Sequence, residues 1–259
     1  MFDLTGTAIV ELLPFILIGF AAQLVDGALG MAFGVISNTL LLSLGIPPHF
    51  ASASVHTVEV FTTGVSGISH TLHRNVDWWL FIRIVAPGMI GGILGAYVIV
   101  WAGESARPVV LIYLAGIGLY LLWKGARHRH QERRPRVIVP LGLAGGFLDA
   151  SGGGGWGPIV TSNLLIQGAN PRKVIGTVNT AEFFLTLTIS GTFLVAIGVS
   201  QFTWSSEIGR ATLGLLIGGI AAAPLGGYIA KRVPADGLLV MVGIVLTLTS
   251  AYGIWRALS

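Results

Sequence analysis

The chain contains no cysteine and few charged residues. Of its 259 residues only 10% are Asp, Glu, Lys or Arg, compared with about 25% in typical soluble domains. The absence of cysteine excludes disulfides, thiolate metal centres and thiol catalysis. The scarcity of charge, together with 53% hydrophobic residues and a mean hydropathy of +0.81, predicts an all-α, polytopic membrane protein. The basic residues belong to loops, so they do not indicate a nucleic-acid partner.

Ten apolar segments fall into two groups of five, separated by the only strongly charged run, residues 124–136. The segments lie at 8–24, 29–46, 51–72, 78–101, 108–123, 137–150, 154–168, 174–198, 208–230 and 237–256. The positive-inside rule places the charged run in the cytoplasm. This pattern predicts a first transmembrane repeat at 1–124, a basic cytoplasmic linker at 125–136 and a second transmembrane repeat at 137–259, in the lipid bilayer of the cytoplasmic membrane.

The two halves resemble each other when one is shifted over the other by 123 positions. The shift superimposes two acids on acids, a glycine on a glycine, a proline on a proline and a histidine on an asparagine. The pairs are Asp26 with Asp149, Gly30 with Gly153, Pro48 with Pro171, His56 with Asn179, and Glu59 with Glu182. If the first two segments of each half return to their starting side, the halves have opposite orientations and both termini lie outside. Inverted repeats are typical of secondary transporters, whose substrate site lies near the membrane midplane.

Each half is predicted to begin with a helical hairpin broken by glycines. In the second half Asp149 precedes four consecutive glycines, residues 152–155, while the first half has Leu-Gly-Met-Ala at 29–32. Backbone N–H groups crowded at such a break, next to the N-terminus of the following helix, attract an anion. We therefore expect a small-anion site between the hairpins, lined by Gly30, Asn38, Gly153, Gly154, Trp156, Asn163 and Asn179.

Asp26 and Asp149 are expected at the two breaks, where three roles are open. A carboxylate there can cap the following helix. A buried acid can also exchange a proton during transport, or bind a cation directly.

The third segment carries a polar stripe along one helix face. Its members, His56, Glu59, Thr63, Ser66 and His70, are spaced three and four residues apart, which places them on one side of a helix. The matching segment has Asn179, Glu182 and Thr186 before it becomes apolar. Two interpretations are open: interhelical hydrogen bonding, which suits Glu59 and Glu182, and a hydrated proton pathway, which suits His56 and His70.

Three features resemble the TauE/SafE family of sulfite-exporter-like membrane proteins. They are Asp-Gly-Ala-Leu-Gly-Met at 26–31, Asp-Ala-Ser-Gly-Gly-Gly-Gly-Trp-Gly-Pro at 149–158, and the polar third segment with its glutamate. The resemblance covers nearly the whole chain. It implies transport of small sulfur-containing anions, such as sulfite or organosulfonates.

The sequence thus predicts a secondary transporter of a small anion rather than an enzyme. No phosphate-binding G-x-x-x-x-G-K-[ST] loop occurs, so ATP use is not expected, nor is a metal or other cofactor. A homo-oligomer is possible. The alternatives are a passive anion channel and an intramembrane enzyme built on His56, Glu59 and nearby hydroxyls.

Overall fold

The computed structural model describes residues 6–44, 46–102, 132–152, 154–197 and 206–258, with four short stretches at 115–116, 119–120, 122–123 and 126–127. These residues are almost entirely helical. The helices are α1 Gly6–Leu29, α2 Phe33–Ser43, α3 Pro48–Leu72, α4 Trp78–Ala102, α5 Val139–Gly152, α6 Ser162–Ile166, α7 Pro171–Ile197, α8 Ser206–Arg232 and α9 Ala235–Leu258. A π-helical turn, Gly157–Thr161, leads directly into α6. The predicted all-α fold is confirmed in this part of the chain.

Among the residues that the structure describes, four helices are long and apolar enough to cross a membrane. The spans are Glu11–Leu29, Trp78–Trp101, Pro171–Ile197 and Gly209–Arg232. Helix α3 is as long, but its polar stripe makes it less apolar. Large side chains such as Leu17, Ile82 and Val195 are exposed on the outer faces of the bundle, where lipid can cover them. Most of the predicted fifth segment, 108–123, and residues 125 and 128–131 of the linker lie outside the described residues.

The helix breaks lie later in the chain than expected. Helix α1 continues through Asp26 to Leu29, and α5 continues through Asp149 to Gly152, so both aspartates are in helices and not in the breaks. A helical glycine costs about 1 kcal/mol relative to alanine. In α5 this cost is offset because Gly142 and Gly146 bring the helix into backbone contact with α4.

Each hairpin packs against a helix of the other half. Helix α1 runs beside α8 in the same direction, from the ion pair of Glu11 with Arg210 to the contact of Gly27 with Gly226. Helix α5 runs beside α4 in the same way. Small residues at 88–95 and 214–218 form these contacts, because their size lets the helices approach closely.

Helices α3 and α7 cross at the centre of the bundle, where Gly67 lies against Thr180. Ile46, just after the first hairpin, packs with Ala211, so this hairpin begins and ends at the same end of the bundle as Arg210. The second hairpin begins and ends at the opposite end, where the backbone N–H groups of residues 136 and 137 donate to Gln167 Oε1 at 2.8 and 2.9 Å. The two hairpins therefore enter the bundle from opposite ends.

The basic segments gather at the second hairpin's end, which we call the basic end. The Lys173 ammonium donates to the carbonyl oxygen of Arg74 at 2.9 Å, and the Arg133 N–H donates to the carbonyl of Gly168 at 2.7 Å. Arg172 and Lys231 line one cavity there. The basic end thus comprises residues 73–77, 132–137, 167–173 and 231–238.

Candidate substrate site where the two hairpins meet

The tips of the two hairpins contact each other inside the bundle. Gly154 has a φ of +149°, and a Cβ there would lie 2.6 Å from the carbonyl carbon of Gly34. Gly30, with a φ of +70°, is enclosed by Thr161, Ile175 and Asn179. At both positions the backbone conformation disfavours a side chain, and at Gly154 the neighbouring backbone also leaves no room for one.

Side chains from the second arms also join the tips. The Asn38 amide donates to the carbonyl oxygen of Gly152 at 2.9 Å. The Thr161 hydroxyl donates to the carbonyl oxygen of Gly30 at 2.8 Å. Two carbonyl groups freed at the breaks are therefore paired across the hairpin interface.

The two aspartates hold the starts of the second arms. Asp26 Oδ1 accepts from the N–H of Phe33 at 3.4 Å, and Asp149 Oδ1 accepts from the N–H of Trp156 at 2.9 Å. Both carboxylates thus bond to first N–H groups of the second arms, as the capping interpretation expects, although the N-cap positions themselves are Ala32 and Trp156. These two N–H groups, which the sequence analysis assigned to a substrate anion, already have acceptors. Gly153 lies outside the described residues.

His56 pairs with Asp149 across the centre of the bundle. His56 Nε2 lies 3.0 Å from Asp149 Oδ2, and the two side chains are 0% and 2% exposed. His56 Nδ1 lies 2.7 Å from the carbonyl oxygen of Ser52, one turn earlier. The Ser52 hydroxyl donates to the carbonyl of Ala150 at 2.9 Å. These bonds tie α3 to the last turn of α5.

The matching position of the other half carries an amide. Asn179 Nδ2 donates to the backbone carbonyl of Asp26 at 3.3 Å, and Asn179 Oδ1 accepts from the Ser66 hydroxyl at 2.9 Å. Asp26 Oδ2 is buried without a hydrogen-bond partner. The two hairpins are thus held at equivalent places, one by a titratable pair and the other by an amide.

Glu59 and Glu182 lie within electrostatic range of both aspartates. Both side chains are buried, and Oε2 of each has no hydrogen-bond partner. The interhelical hydrogen bonds expected from these two atoms are therefore not formed. Four acids and one histidine from four helices form a central acidic cluster: Asp26, His56, Glu59, Asp149 and Glu182.

The rest of the polar stripe is hydrogen-bonded within the bundle. The His70 Nε2–H donates to the carbonyl oxygen of Gly27 at 2.7 Å, and Nδ1 accepts from Asn75 Nδ2 at 3.2 Å. The Thr63 hydroxyl donates to the carbonyl of Glu59 at 2.5 Å. Both ring nitrogens of His70 are satisfied in the neutral form, so this residue joins α3 to α1 as interhelical hydrogen bonding predicts.

Two predicted lining residues have other surroundings. The Trp156 indole is 0% exposed in the hydrophobic core, lies against Gly88 and Gly145, and donates from Nε1 to the carbonyl of Val178 at 3.3 Å. It fills space between helices rather than facing a cavity. Asn163 Nδ2 donates to the carbonyl of Ile159 at 2.7 Å, within its own arm. The structure therefore brings Gly30, Asn38, Gly154 and Asn179 together, and the Trp156 side chain lies apart from them.

One set of buried polar groups was not identified from the sequence. Both amide atoms of Gln23 and the hydroxyls of Ser37 and Thr62 are buried without a hydrogen-bond partner. They belong to α1, α2 and α3, which pack together. The positions that match them in the second half are Gly146, Val160 and Leu185. The search for matching polar residues could not find this set, since it occurs in one half only.

Comparison with known proteins gives one family and one curated relative. The family described as sulfite exporter TauE/SafE matches residues 15–253. The chain is 40% identical over 250 residues to the probable membrane transporter protein YtnM of Bacillus subtilis (strain 168), covering 93% of this chain and 82% of that protein. No solved structure matches. With its four apolar spans, the chain is a multi-pass cell-membrane protein of a transporter family.

Proposed function

The chain belongs to the sulfite exporter TauE/SafE family, and we propose that it is a secondary transporter of a small sulfur-containing anion, such as sulfite or an organosulfonate. The family description supplies the substrate class. The relative named a probable membrane transporter supports the activity. The reaction is movement of an unmodified ion across the cytoplasmic membrane, with no covalent step.

The observation that carries this proposal is that α1, α2 and α3, which pack together, each carry a buried donor without a hydrogen-bond partner. Buried polar side chains in native proteins nearly always have a hydrogen-bond partner. Gln23, Ser37 and Thr62 offer an amide and two hydroxyl donors without one. Oxygen atoms of a small anion are suitable acceptors, since hydrogen bonds to a charged group are worth about 1.5–3 kcal/mol each. In this proposal the residues predicted from the sequence to line the site serve only to position these donors. They are Gly30, Asn38, Gly153, Gly154, Trp156, Asn163 and Asn179.

Two inverted repeats would give this site access to each side in turn. The hairpins enter from opposite ends, and each packs on the fourth helix of the other half. Rocking of one hairpin with its partner helix against the other pair would open the hairpin interface first to one side and then to the other. Residues 1–124 and 137–259 are the two repeats in this proposal, joined by residues 125–136.

The basic end would attract the anion from the cytoplasm. Its cavity, about 180 Å³, is lined by Asn170, Arg172, Lys231, Val233, Ala235 and Leu238. Two cations beside one cavity raise the local concentration of anions and their association rate. The positive-inside rule supports a cytoplasmic location for this end.

Uptake into proteoliposomes tests the proposal. We expect saturable uptake of radiolabelled sulfite, thiosulfate or methanesulfonate, and exchange of external for internal anion. Gln23→Leu and Thr62→Val should each weaken anion affinity about tenfold, which corresponds to ~1.4 kcal/mol. Thr188→Val, at an exposed hydroxyl that bonds only within its helix, is the matched control and should not change affinity.

The same assay separates the alternatives. Uptake that rises linearly with concentration and shows no exchange would identify a passive channel. A chemically altered product would identify an enzyme. No uptake of the three anions would refute the proposed substrate class.

A further inference from the structure

We propose that the His56–Asp149 pair carries the proton that drives anion transport, and that the second hairpin alone is switched by this proton. The inference rests on the transporter function proposed above. It assigns a coupling role to one pair in the acidic cluster and denies it to the equivalent pair, Asn179 with Asp26.

The hydrogen bonds of His56 fix the number of protons on the pair. A carbonyl oxygen only accepts, so His56 Nδ1 donates its hydrogen to the Ser52 carbonyl, 2.7 Å away. The contact of Nε2 with Asp149 Oδ2 at 3.0 Å then needs a second hydrogen, because two lone pairs repel at that distance. The pair in this structure therefore holds one proton more than a neutral imidazole facing an ionised carboxylate.

Loss of that proton would break one of the two bonds that tie α3 to the second hairpin, while the bond from the Ser52 hydroxyl to the Ala150 carbonyl remains. The N–H bond at Nε2 breaks, and the proton passes to water on whichever side the site is open. Asp149 then loses its bond to His56 while still accepting from the N–H of Trp156 at 2.9 Å. Loading reverses these steps with a proton from water. The proton thus controls a connection between α3 and the start of the second arm.

The first hairpin lacks such a switch. Asn179 takes the place of His56 and has no titratable group. It bonds to the backbone of Asp26 and to Ser66, at 3.3 and 2.9 Å. Proton loss or gain therefore leaves this connection unchanged.

The charged neighbours of the pair determine the sign of coupling. Glu59 lies on the same helix as His56, Asp149 is on α5, Asp26 on α1 and Glu182 on α7, and these acids interact with one another. A further anion in this acidic surrounding is repelled less when the pair holds its proton. By linkage, anion binding and proton binding then favour each other, so anion and proton move in the same direction.

Proton counting on purified protein tests this inference. The probe is thiosulfate or methanesulfonate, neither of which takes up protons near neutral pH. Binding heats measured in buffers of different ionisation enthalpy give the protons taken up with each anion. We expect wild-type protein to take up as much as about one proton per anion as the pH is raised. The variant His56→Asn introduces the asparagine found at the matching position of the other half. It should take up as much as about one proton fewer per anion than the wild-type protein.

Transport assays supply the second readout. His56→Asn should still exchange anion for anion, but a pH gradient should no longer drive accumulation. His73→Gln, a partly buried histidine at the basic end outside the cluster, is the matched control and should behave as wild type. Accumulation by His56→Asn that still follows the pH gradient, with unchanged proton uptake, would overturn the inference.

A wild-type measurement covers the case in which the variant does not fold. In protein with ¹⁵N-labelled histidine, held at a pH high enough for the free protein's pair to have lost its proton, adding the anion should convert one of the six imidazoles from the neutral to the charged form. If none of the six changes, the inference is wrong. Absence of anion binding and of exchange in wild-type protein would instead refute the proposed function, so the two failures are distinguishable.

Discussion

Asn38 and Thr161 occupy matching positions, 123 residues apart, and each donates a hydrogen bond to the break of the opposite hairpin. Asn38 Nδ2 bonds to the Gly152 carbonyl at 2.9 Å, and Thr161 Oγ1 bonds to the Gly30 carbonyl at 2.8 Å. The residue types differ, yet the connection is the same. A movement that separates the hairpins must break both bonds.

Removing one of these donors should lower stability. Thr161→Val leaves the Gly30 carbonyl without this donor, which should cost about 1–3 kcal/mol. We expect a lower midpoint in thermal unfolding followed by tryptophan fluorescence in detergent. Thr192→Val, whose hydroxyl bonds only within its helix, is the control. An unchanged midpoint for Thr161→Val would contradict the proposed importance of the bond.

Gly152 and Gly154 should differ in their tolerance of substitution by alanine. A Cβ at Gly154 would collide with the backbone of Gly34 and Val35, whereas a Cβ at Gly152 has nothing within 4 Å. Gly154→Ala should therefore reduce the yield of folded protein, and Gly152→Ala should not. Size-exclusion chromatography of both variants measures this. Equal yields would show that the hairpin tips are not packed as closely as described.

Glu59 should influence the pH profile more than Glu182. Glu59 lies three residues after His56 on α3 and interacts with it electrostatically, so an ionised Glu59 would favour the charged imidazole. Glu59→Gln should therefore move the pH at which anion binding is lost to a lower value. Glu182→Gln should move it less. Affinity measured over a pH series decides this, and equal shifts would contradict the special position of Glu59.

The basic end should control the association rate. Arg172→Gln and Lys231→Gln each remove a cation from the cavity lining. Initial uptake from the basic end should slow at low ionic strength, and the difference should fade as salt screens the charge. Arg83→Gln serves as a comparison, since that guanidinium lies 4.0 Å from the Trp79 ring rather than beside the cavity. A salt-independent effect at Arg172 would point to a structural role.

The orientation can be read with single cysteines because the chain has none of its own. Glu132→Cys, at the basic end, should react with a membrane-impermeant thiol reagent only after cells are opened. His49→Cys, at the start of α3, should react in intact cells. Reaction of both from the same side would refute the inverted arrangement.

The sequence predicted most helices because apolar length and glycine spacing are local properties. The first arms were predicted to end at residues 24 and 150 but end at Leu29 and Gly152, since local propensity treats the glycines next to the aspartates as helix breakers. Asp149 was identified, but its partner was not. His56 lies 93 positions away, and the pairing depends on how the hairpins enter the bundle.

The role of Trp156 depended on three-dimensional context in the same way. A tryptophan beside four glycines indicated a cavity wall, yet Gly88 and Gly145 provide the space that its ring fills. Gln23 was overlooked for the opposite reason, because an isolated polar residue in an apolar helix has no counterpart in the other half. Comparison of the two halves identifies the residues that they share, but it misses polar residues that occur in one half only.

The pairing of α1 with α8 determines when the protein can assemble. During synthesis, α1 is complete about 180 residues before α8 is made, a delay of roughly 10–35 s at typical elongation rates. Throughout that interval the glycine-lined face of α1, including Gly19 and Gly27, has only lipid or the insertion machinery to cover it. The first hairpin therefore stays in the membrane without its packing partner during this interval. The packing of α1 against α8 forms only when most of the chain has been synthesised.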